Sequence, residues 1–577
     1  MTSTGGVGSG GGSTVEPSAE VEPGAVSDGG NDCELTTQPL HAVARTSTSP
    51  RAPRTILLTI LIAAAVVRIP GILWGLPALL HPDERVVVVD AIGMITRHTF
   101  EPSIFYRPDH LEIKLDSLVF RLYGFFAGGR ADVMFRQDGT VFYALARTVT
   151  VLFSLGAVAL AHLVGSRFGR WTGPIAAFLF AFYPPFVANS SLATPDIWLT
   201  CLLTAVVWSC LRYLERPSWR SLTVGCVLTA LAVATKYPGA LGALPIVAVI
   251  VAVLVRSGDR ARAVRHLVTA PFAFVLALLV ISPTLVTNFA AVRAQLVGQS
   301  GSGHLGASGL TYPGRAWYYV EYLGGWLGIV LIAATLFGLY LTVKARAAQA
   351  IPLFVGVPFW LGVSALGLQW FRWSLPMAIT VLLLAAIGVS TALDRLMAFR
   401  SSGRPHVRSL ATIGTAAIVL SGVSQLCGTA VTATIFATAD TRIVALPWLT
   451  AHGIVRENSV YDGYNPFRNA GIGRLPAQLE IRDGALVPLD PERKYVVISS
   501  YLYDRVYGDP DPQLEPYYRA VEKLPLVAEW VPAGGSDFQG LAPLAPWRSI
   551  QLIARFTAGA MTGPTIKVYA LPTLPAG

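Results

Sequence analysis

The chain consists mainly of long apolar stretches separated by short polar ones. Eleven stretches approach or exceed the length that an α-helix needs to cross the hydrocarbon core of a bilayer. They lie at about 55–77, 142–165, 172–189, 194–213, 220–235, 239–255, 266–287, 324–343, 350–368, 374–393 and 409–432. This pattern predicts an α-helical polytopic membrane protein with about 11 transmembrane helices.

Three segments with different compositions predict the domains. Residues 1–53 are rich in Gly, Ser, Thr, Glu and Pro, which predicts a disordered cytoplasmic tail. The first apolar stretch is too long for the core of a signal peptide, so it should remain as an anchor. Residues 54–432 form the transmembrane domain, and 433–577 are predicted to be a small extracytoplasmic α/β domain.

Two connecting regions carry elements of their own. Between 78 and 141, Arg85–Ile95 and Ile113–Phe126 are mostly apolar but interrupted by charges, a pattern typical of helices along the membrane interface. In the C-terminal region, 494–500 and 566–570 have the composition of strands. The polar and aromatic stretch 501–505 predicts either a carbohydrate-binding surface or an ordinary domain surface.

The charge distribution predicts the orientation of the helices. Of the 577 residues, 53% are hydrophobic and only 14% are charged, whereas soluble proteins carry about 25% charge. The net charge of +10 lies mainly in connections that alternate threading puts on one side, which predicts a cytoplasmic N-terminus and lipids, not nucleic acid, as partners. These connections hold Arg51 and Arg54, Arg167 and Arg170, 212–220, 256–265, Lys344 and Arg346, and 395–408.

The unusual polar residues cluster on the other, outer side. Two adjacent acids in His81-Pro82-Asp83-Glu84 directly follow the first apolar stretch, where charge is costly. Four further motifs share that side: Ala146-Arg147-Thr148, Ala193-Thr194-Pro195-Asp196, Ala234-Thr235-Lys236-Tyr237-Pro238-Gly239 and Phe371-Arg372-Trp373-Ser374-Leu375-Pro376.

These motifs resemble those of the GT-C membrane glycosyltransferases, both in their order along the chain and in their shared location on the outer side of the membrane. The chain is most similar to the bacterial branch related to protein O-mannosyltransferases and the aminoarabinose transferase of lipid A, over roughly 55–400. The resemblance implies sugar transfer from a polyprenyl-phosphate-linked donor, because sugar nucleotides are cytoplasmic. The acceptor would be a hydroxyl of a protein, a lipid or a cell-wall glycan. The sequence has no glycine-rich phosphate loop that indicates another donor.

The acids in the first outer loop are the candidate catalytic groups. Transfer to a hydroxyl requires a base, and we assign this role to Asp83. Adjacent side chains diverge, so Glu84 should support Asp83, bind acceptor or share a cation, and a single catalytic carboxylate predicts inversion. The alternative is a turn in which Pro82 ends the first span and Asp83 caps the next helix; the two roles are compatible.

Asp196 and His81 are secondary candidates. Asp196 is either a first-turn acid that matches the helix dipole or a second acidic group of the site, where an acidic pair could hold a divalent metal. The resemblance leaves metal use open. His81 is a weak site member, since a histidine beside proline is more often a turn residue.

Cations on the outer side are candidates for binding the donor phosphate. Lys236 and Arg372 are the best of these, although both fit interfacial side chains that extend to headgroups. Arg147 is a third candidate. Arg68 and Arg147 also fit structural ion pairs, with Asp83 or Glu84 as possible partners.

Two other functional classes remain open. A transporter or flippase for a lipid-linked saccharide would have as many spans, but internal repeats and ionisable groups near the bilayer midplane are expected of it. The sequence shows no such repeat. If the protein were a non-catalytic scaffold or receptor, the predicted location of four polar residues on the outer side of the membrane would have no explanation. These residues are Asp83, Asp196, Lys236 and Arg372.

Overall fold

The structure is a computed structural model that describes residues 51–256, 259–299, 310–345, 348–401, 404–467, 474–482, 484–508, 511–534 and 546–572. The predicted disordered tail lies outside these residues, except for its last three, which begin the first helix.

Helices account for nearly all of the regular structure before residue 438. The first ten are α1 (Arg51–Val66), α2 (Ile69–Leu73), α3 (Pro82–Thr96), α4 (His110–Phe126), α5 (Ala131–Gln137), α6 (Thr140–Gly165), α7 (Thr172–Phe182), α8 (Pro184–Ser190), α9 (Pro195–Glu215) and α10 (Trp219–Thr235). The next eight are α11 (Ala243–Arg256), α12 (Arg260–Ile281), α13 (Pro283–Thr287), α14 (Phe289–Gln299), α15 (Tyr312–Ala345), α16 (Leu353–Ala365), α17 (Leu375–Arg400) and α18 (Pro405–Ala437).

The polytopic architecture predicted from the sequence is confirmed, and the chain is an integral membrane protein. Among the described residues, nine helical segments are long and apolar enough to cross a membrane, and each overlaps a predicted span. The other two predicted spans correspond to the shorter apolar helices α7 and α10. The span predicted at 172–189 is divided into α7 and α8, because Pro184 and Pro185 cannot continue the α7 hydrogen-bond ladder.

The segment 78–141 contributes helices at one end of the bundle, which we call the loop end. The predicted helices are confirmed as α3 and α4, and the structure adds α5. Val87 of α3, Ile113 and Phe120 of α4 and Phe142 of α6 share a hydrophobic core. The directions of the helices place the arginine-rich connections at the opposite end of the bundle. Which of the two ends faces the cytoplasm remains a prediction.

Residues 438–572, which we call the C-terminal domain, contain the strands. Its helices are α19 (Thr441–Ala451), α20 (Ser500–Gly508), α21 (Glu515–Val521) and α22 (Pro546–Thr557). Its strands are β1 (Ser459–Tyr461), β2 (Leu479–Arg482), β3 (Ala485–Pro488), β4 (Tyr495–Ser499), β5 (Leu526–Trp530) and β6 (Ile566–Ala570).

The strands of the C-terminal domain form two sheets. A four-stranded sheet has the order β1-β4-β6-β5, in which only β1 and β4 are parallel, and β2 pairs with β3. The predicted α/β character and both predicted strands are confirmed. The stretch 501–505 lies in α20, where Tyr501 and Tyr503 are buried, so it is not an open surface.

Two glycines set the close packing of α15 against α17. A Cβ atom on Gly338 would lie 2.0 Å from the carbonyl oxygen of Leu384, and one on Gly388 would lie 2.0 Å from that of Ala334. A side chain at either position would therefore force the helices apart. Because a short 3₁₀ helix that contains Arg372 leads directly into α17, this packing also fixes the position of Arg372.

We expect Gly338→Ala to lower the unfolding temperature of the purified protein, because over-packing typically costs about 1–3 kcal/mol. Gly362→Ala is the matched control: Gly362 also lies within a membrane helix, but a Cβ atom added there would have no neighbouring atom within 4 Å. Alanine there should leave the unfolding temperature unchanged or raise it slightly. Equal unfolding temperatures for the two variants would contradict the packing argument.

Candidate active site

The motif His81-Pro82-Asp83-Glu84 begins α3. His81 occupies the N-cap position with an extended backbone, Pro82 is the first helical residue, and both acids lie in the first turn. Proline suits this position because its missing N–H would have no partner within the helix. The hypothesis that Asp83 caps the helix is therefore corrected, since the N-cap is His81, without a side-chain capping bond.

The two adjacent acids have different partners. Arg147 donates to both oxygens of Glu84, from Nε and from Nη2, at 2.7 Å each. Its Nη1 donates to the carbonyl oxygen of Trp74 at 2.6 Å, and the backbone N–H of Ala193 donates to Glu84 at 2.9 Å. This pair is fully buried and joins α2, α3, α6 and the turn before α9.

The geometry thus favours a structural ion pair for Arg147 over the predicted phosphate-binding role, because its guanidinium is enclosed by Glu84 and backbone carbonyls. Glu84 is equally enclosed. Arg68 is also fully buried, but its contacts are with carbonyl oxygens and a hydroxyl and not with Asp83 or Glu84, the possible carboxylate partners. Its guanidinium donates instead to Ser154 and to the carbonyl oxygens of Ala64 and Ala181.

Asp83 lies between two arginines. Its Oδ2 accepts a hydrogen bond from Arg107 Nη1 at 2.9 Å and forms an ion pair with Arg372, whose Nη2 lies 2.7 Å away. Burial raises the pKa of Asp83, but the two guanidinium groups outweigh it and hold the pKa well below the usual range of a carboxyl. Asp83 is therefore ionised at every ordinary pH.

Arg372 connects Asp83 to a second ion pair. Its Nε lies 3.4 Å from Asp196 Oδ2, and Lys236 Nζ lies 2.7 Å from Asp196 Oδ1. Lys236 follows the last residue of α10, and Asp196 lies in the first turn of α9. The structure thus brings together Asp83, Asp196, Lys236 and Arg372 from four separated parts of the chain, in a row of alternating charges.

Arg107 is a member of this row that the sequence analysis missed. Its Nε donates to Asp109 at 2.6 Å, while its Nη1 donates to Asp83. Gln295 of α14 fixes the preceding backbone, because its Oε1 accepts from the N–H groups of Phe105 and Tyr106. Arg107 lies in the irregular loop between α3 and α4, which also contains Arg97, so no periodicity or spacing distinguishes it.

Three buried acids on one face of α4 were also missed. Asp109 precedes the helix, and Glu112 and Asp116 follow at spacings of three and four residues. All three side chains are fully buried, and the carboxylate oxygens of Glu112 and Asp116 have no hydrogen-bond partner among the described residues. Burial raises the pKa of Asp109 to about 6 and raises the pKa values of Glu112 and Asp116 well above the ordinary range.

An aromatic pocket adjoins the row of charges. Its volume is about 900 Å³ including its open mouth, and His81 and Arg372 line it beside the charged groups. Burial lowers the pKa of His81 to about 4, so its imidazole is neutral. The remaining wall comes from the membrane helices and the C-terminal domain, and includes Tyr322, Trp326, Trp370, Phe436, Tyr501 and Phe556.

Among the described residues, no group of three or more His, Cys, Asp or Glu side chains has the geometry to hold a metal ion. Asp83 and Asp196 share Arg372 instead. The arrangement therefore offers an ionised carboxylate, three cations and an apolar cavity in one place, which suits an anionic group attached to an apolar chain.

Comparison with known proteins supports a glycosyltransferase. The sequence profile of the dolichyl-phosphate-mannose-protein mannosyltransferase family matches residues 137–286, about a quarter of the chain. Over these residues the match confirms the resemblance to membrane glycosyltransferases that the motifs indicate. No curated protein matches the chain significantly.

Several solved structures are similar to the chain. ArnT from Cupriavidus metallidurans bound to undecaprenyl phosphate has 15% identity and a TM-score of 0.46, covering 79% of this chain and 95% of ArnT. Its apo form has 13% identity and a TM-score of 0.49, covering 91% and 99%. The Archaeoglobus fulgidus oligosaccharyltransferase in complex with Zn and sulfate has 14% identity and a TM-score of 0.47, covering 83% and 72%.

The acids of α4 generate a prediction for stability against pH. Burial raises the folded-state pKa values of Glu112 and Asp116 above the unfolded-state values near 4. The contribution of these two groups to stability is therefore full below the unfolded-state values, where both groups are protonated in both states, and it is lost as pH rises through the folded-state values. We expect Glu112→Gln and Asp116→Asn to raise the unfolding temperature by a few degrees at pH 9 but not at pH 4. The exposed Asp138→Asn is the control, and a pH-independent effect of the α4 variants would contradict this assignment.

Proposed function

We propose that the protein is a glycosyltransferase that moves a sugar from a polyprenyl-phosphate-linked donor to an acceptor hydroxyl, with inversion at the anomeric carbon. The observation that carries the proposal is Asp83, ionised between Arg107 and Arg372, next to the Lys236–Asp196 pair and near the aromatic pocket that His81 and Arg372 line. The match to a family named for a lipid-phosphate-linked sugar donor supports the same chemistry.

Lys236 and Arg372 are the proposed ligands of the donor phosphate. Their side chains are only 12% and 16% exposed, and both face carboxylates that a phosphate could replace or join. Negative charge on the phosphate grows as the bond to the sugar breaks. Cations held in a site from which water is largely excluded stabilise that charge more strongly than they would in water.

Asp83 is the proposed base. Both of its ion pairs use Oδ2, which leaves Oδ1 to accept the proton of the acceptor hydroxyl. As that proton moves to Oδ1, the acceptor oxygen bonds to the anomeric carbon and the electron pair of the breaking bond moves to the phosphate oxygen. We assign the reaction to a single catalytic carboxylate, with Asp196 held by Lys236 and Arg372. Attack opposite the leaving phosphate then inverts the anomeric carbon.

The location and the partners follow from the charge pattern and the lipid donor. We propose that the loop end and the C-terminal domain face the outside of a bacterial plasma membrane, with the arginine-rich connections in the cytoplasm. The acceptor would be a protein, a lipid or a cell-wall glycan. A lipid-linked saccharide transporter or flippase is the competing hypothesis, and substitution of Asp83 separates the two.

We expect Asp83→Asn to reduce sugar transfer by about 10²–10⁴-fold, because the acceptor proton loses its base. Binding of a short-chain polyprenyl phosphate should persist, since Asn removes a negative charge beside Arg372. Transfer of radiolabelled sugar by the purified protein in nanodiscs measures the effect, with the exposed Asp138→Asn of the same loop segment as the control. Near-wild-type transfer would exclude Asp83 as the base. Movement of a lipid-linked saccharide across the membrane of proteoliposomes, without sugar transfer, would favour the flippase.

We expect Lys236→Gln and Arg372→Gln each to weaken the binding of polyprenyl phosphate by about 10–100-fold, the range for loss of a hydrogen bond to a charged group. Arg372→Lys should restore the affinity only in part, because Lys cannot reproduce the planar fork of Arg. Titration calorimetry in detergent measures the affinity. Arg130→Gln, whose side chain is 64% exposed in the same loop segment, is the control; wild-type affinity in both site variants would reject the phosphate assignment.

A further inference from the structure

The C-terminal domain contacts the turn that precedes Asp83. Arg442, at the start of α19, donates from Nη1 to the carbonyl oxygen of Leu80 at 3.0 Å. Its Nε and Nη2 donate to the two oxygens of Asp440 at 2.8 and 2.9 Å. Both side chains are almost fully buried, so this two-pronged pair is shielded from solvent and holds the guanidinium in one orientation.

Asp440 is itself held firmly in the C-terminal domain. It accepts from the backbone N–H of Arg442 at 2.9 Å, and a Cβ on Gly563 would lie 2.5 Å from its carboxylate. The backbone N–H of Thr441 donates to the carbonyl oxygen of Thr562, and the N–H of Thr562 donates to the carbonyl oxygen of Ala439. Arg442 is thus supported by an anchored carboxylate and is not a flexible surface side chain.

The turn that Arg442 holds requires support. Leu79 has a φ of +55°, a left-handed conformation that a residue with a side chain keeps only when its surroundings fix it. The Leu80 side chain packs among Trp74, Leu192 and Phe436, while its carbonyl oxygen receives Arg442. Three residues later the chain presents Asp83, so the orientation of this turn sets the direction of the carboxylate.

A second contact reaches the other half of the Asp83–Arg372 pair. Arg505 of α20 lies 5.1 Å from the ring centre of Trp370, and Arg372 lies 5.1 Å from the same ring. Tyr501, one turn before Arg505 on the same helix, lies 5.5 Å from Arg442 and lines the aromatic pocket. Helix α20 therefore connects the two contacts.

We propose that Arg442 and Arg505 are positioning residues: Arg442 holds the turn that presents Asp83, and Arg505 holds, through Trp370, the turn that presents Arg372. This inference rests on the proposed function. It assigns to the C-terminal domain a part in catalysis, since the alignment of base and phosphate ligand depends on two of its side chains.

The two residues should affect different kinetic constants. A misdirected Asp83 lowers kcat, because a displacement of about 1 Å can cost about 100-fold in rate, whereas a displaced Arg372 weakens donor binding and raises the donor KM. Loss of the Arg442 contact also moves Asp83 relative to its guanidinium partners. The acid limb of the kcat profile should then move to higher pH, as the Asp83 pKa returns toward its ordinary range.

The full-length protein in nanodiscs provides the test. Arg442→Gln combined with Asp440→Asn removes both charges, so neither is left buried alone, and Arg442→Lys is the conservative variant. We expect the double variant to lower kcat per donor-binding site about 10–100-fold and to show the pH shift. The kcat of Arg442→Lys should fall between those of the double variant and wild type. Arg505→Gln should raise the donor KM. Arg482→Gln is the control, because Arg482 lies in the same domain with a 64% exposed side chain paired to Glu480.

Hydrogen exchange separates this inference from the proposed function. Amides of residues 75–85 should exchange faster in both Arg442 variants than in wild type and Arg482→Gln, while β4 stays protected. If wild type transfers no sugar, the proposed function fails but the exchange result still decides whether Arg442 holds the turn. Active variants with wild-type kcat, pH profile and exchange would overturn the inference.

Discussion

The ion pairs of Asp83 with Arg107 and Arg372 are the interaction on which the site depends. Ionised groups at the edge of an apolar bundle persist only when opposite charges meet them, and here each charge has at least one partner. The partners come from the loop before α4 and the turn before α17. A carboxylate at the start of α3 thus fixes two elements that are distant along the chain.

The helices around this row of charges supply its rigidity. The close approach of α15 and α17 at Gly338 and Gly388 fixes the helix that begins directly after Arg372. The buried Glu84–Arg147 pair joins α3 to α6, one residue away from Asp83. The two acids of the motif therefore have different partners: Glu84 joins α3 to α6, and Asp83 joins Arg107 and Arg372.

Sequence patterns predicted the spans, two loop helices, two of the six described strands and the four separated residues that meet in the site, because hydrophobic length and charge sidedness are local properties of the chain. They did not predict Arg107, whose role depends on a long-range contact between Gln295 and an irregular loop. They left two roles open for Arg147 for a similar reason. Periodicity shows that an arginine lies at a helix mouth, but not whether phosphate or a buried carboxylate meets it. Glu112 and Asp116 share a face of α4, yet only the structure shows that their buried carboxylates lack hydrogen-bond partners among the described residues.

The depressed pKa of Asp83 constrains how the proposed reaction proceeds. A carboxylate held by two guanidinium groups is a weak base, so it can take the acceptor proton only late, when the new bond to the sugar has made the acceptor oxygen acidic. A donor phosphate at Arg372 competes with Asp83 for the same cation, and its negative charge raises the Asp83 pKa. In the proposed reaction, Asp83 thus becomes a better base only after the donor has bound. Since the same contacts hold it in a weakly basic state beforehand, the donor would itself complete the proposed catalytic site.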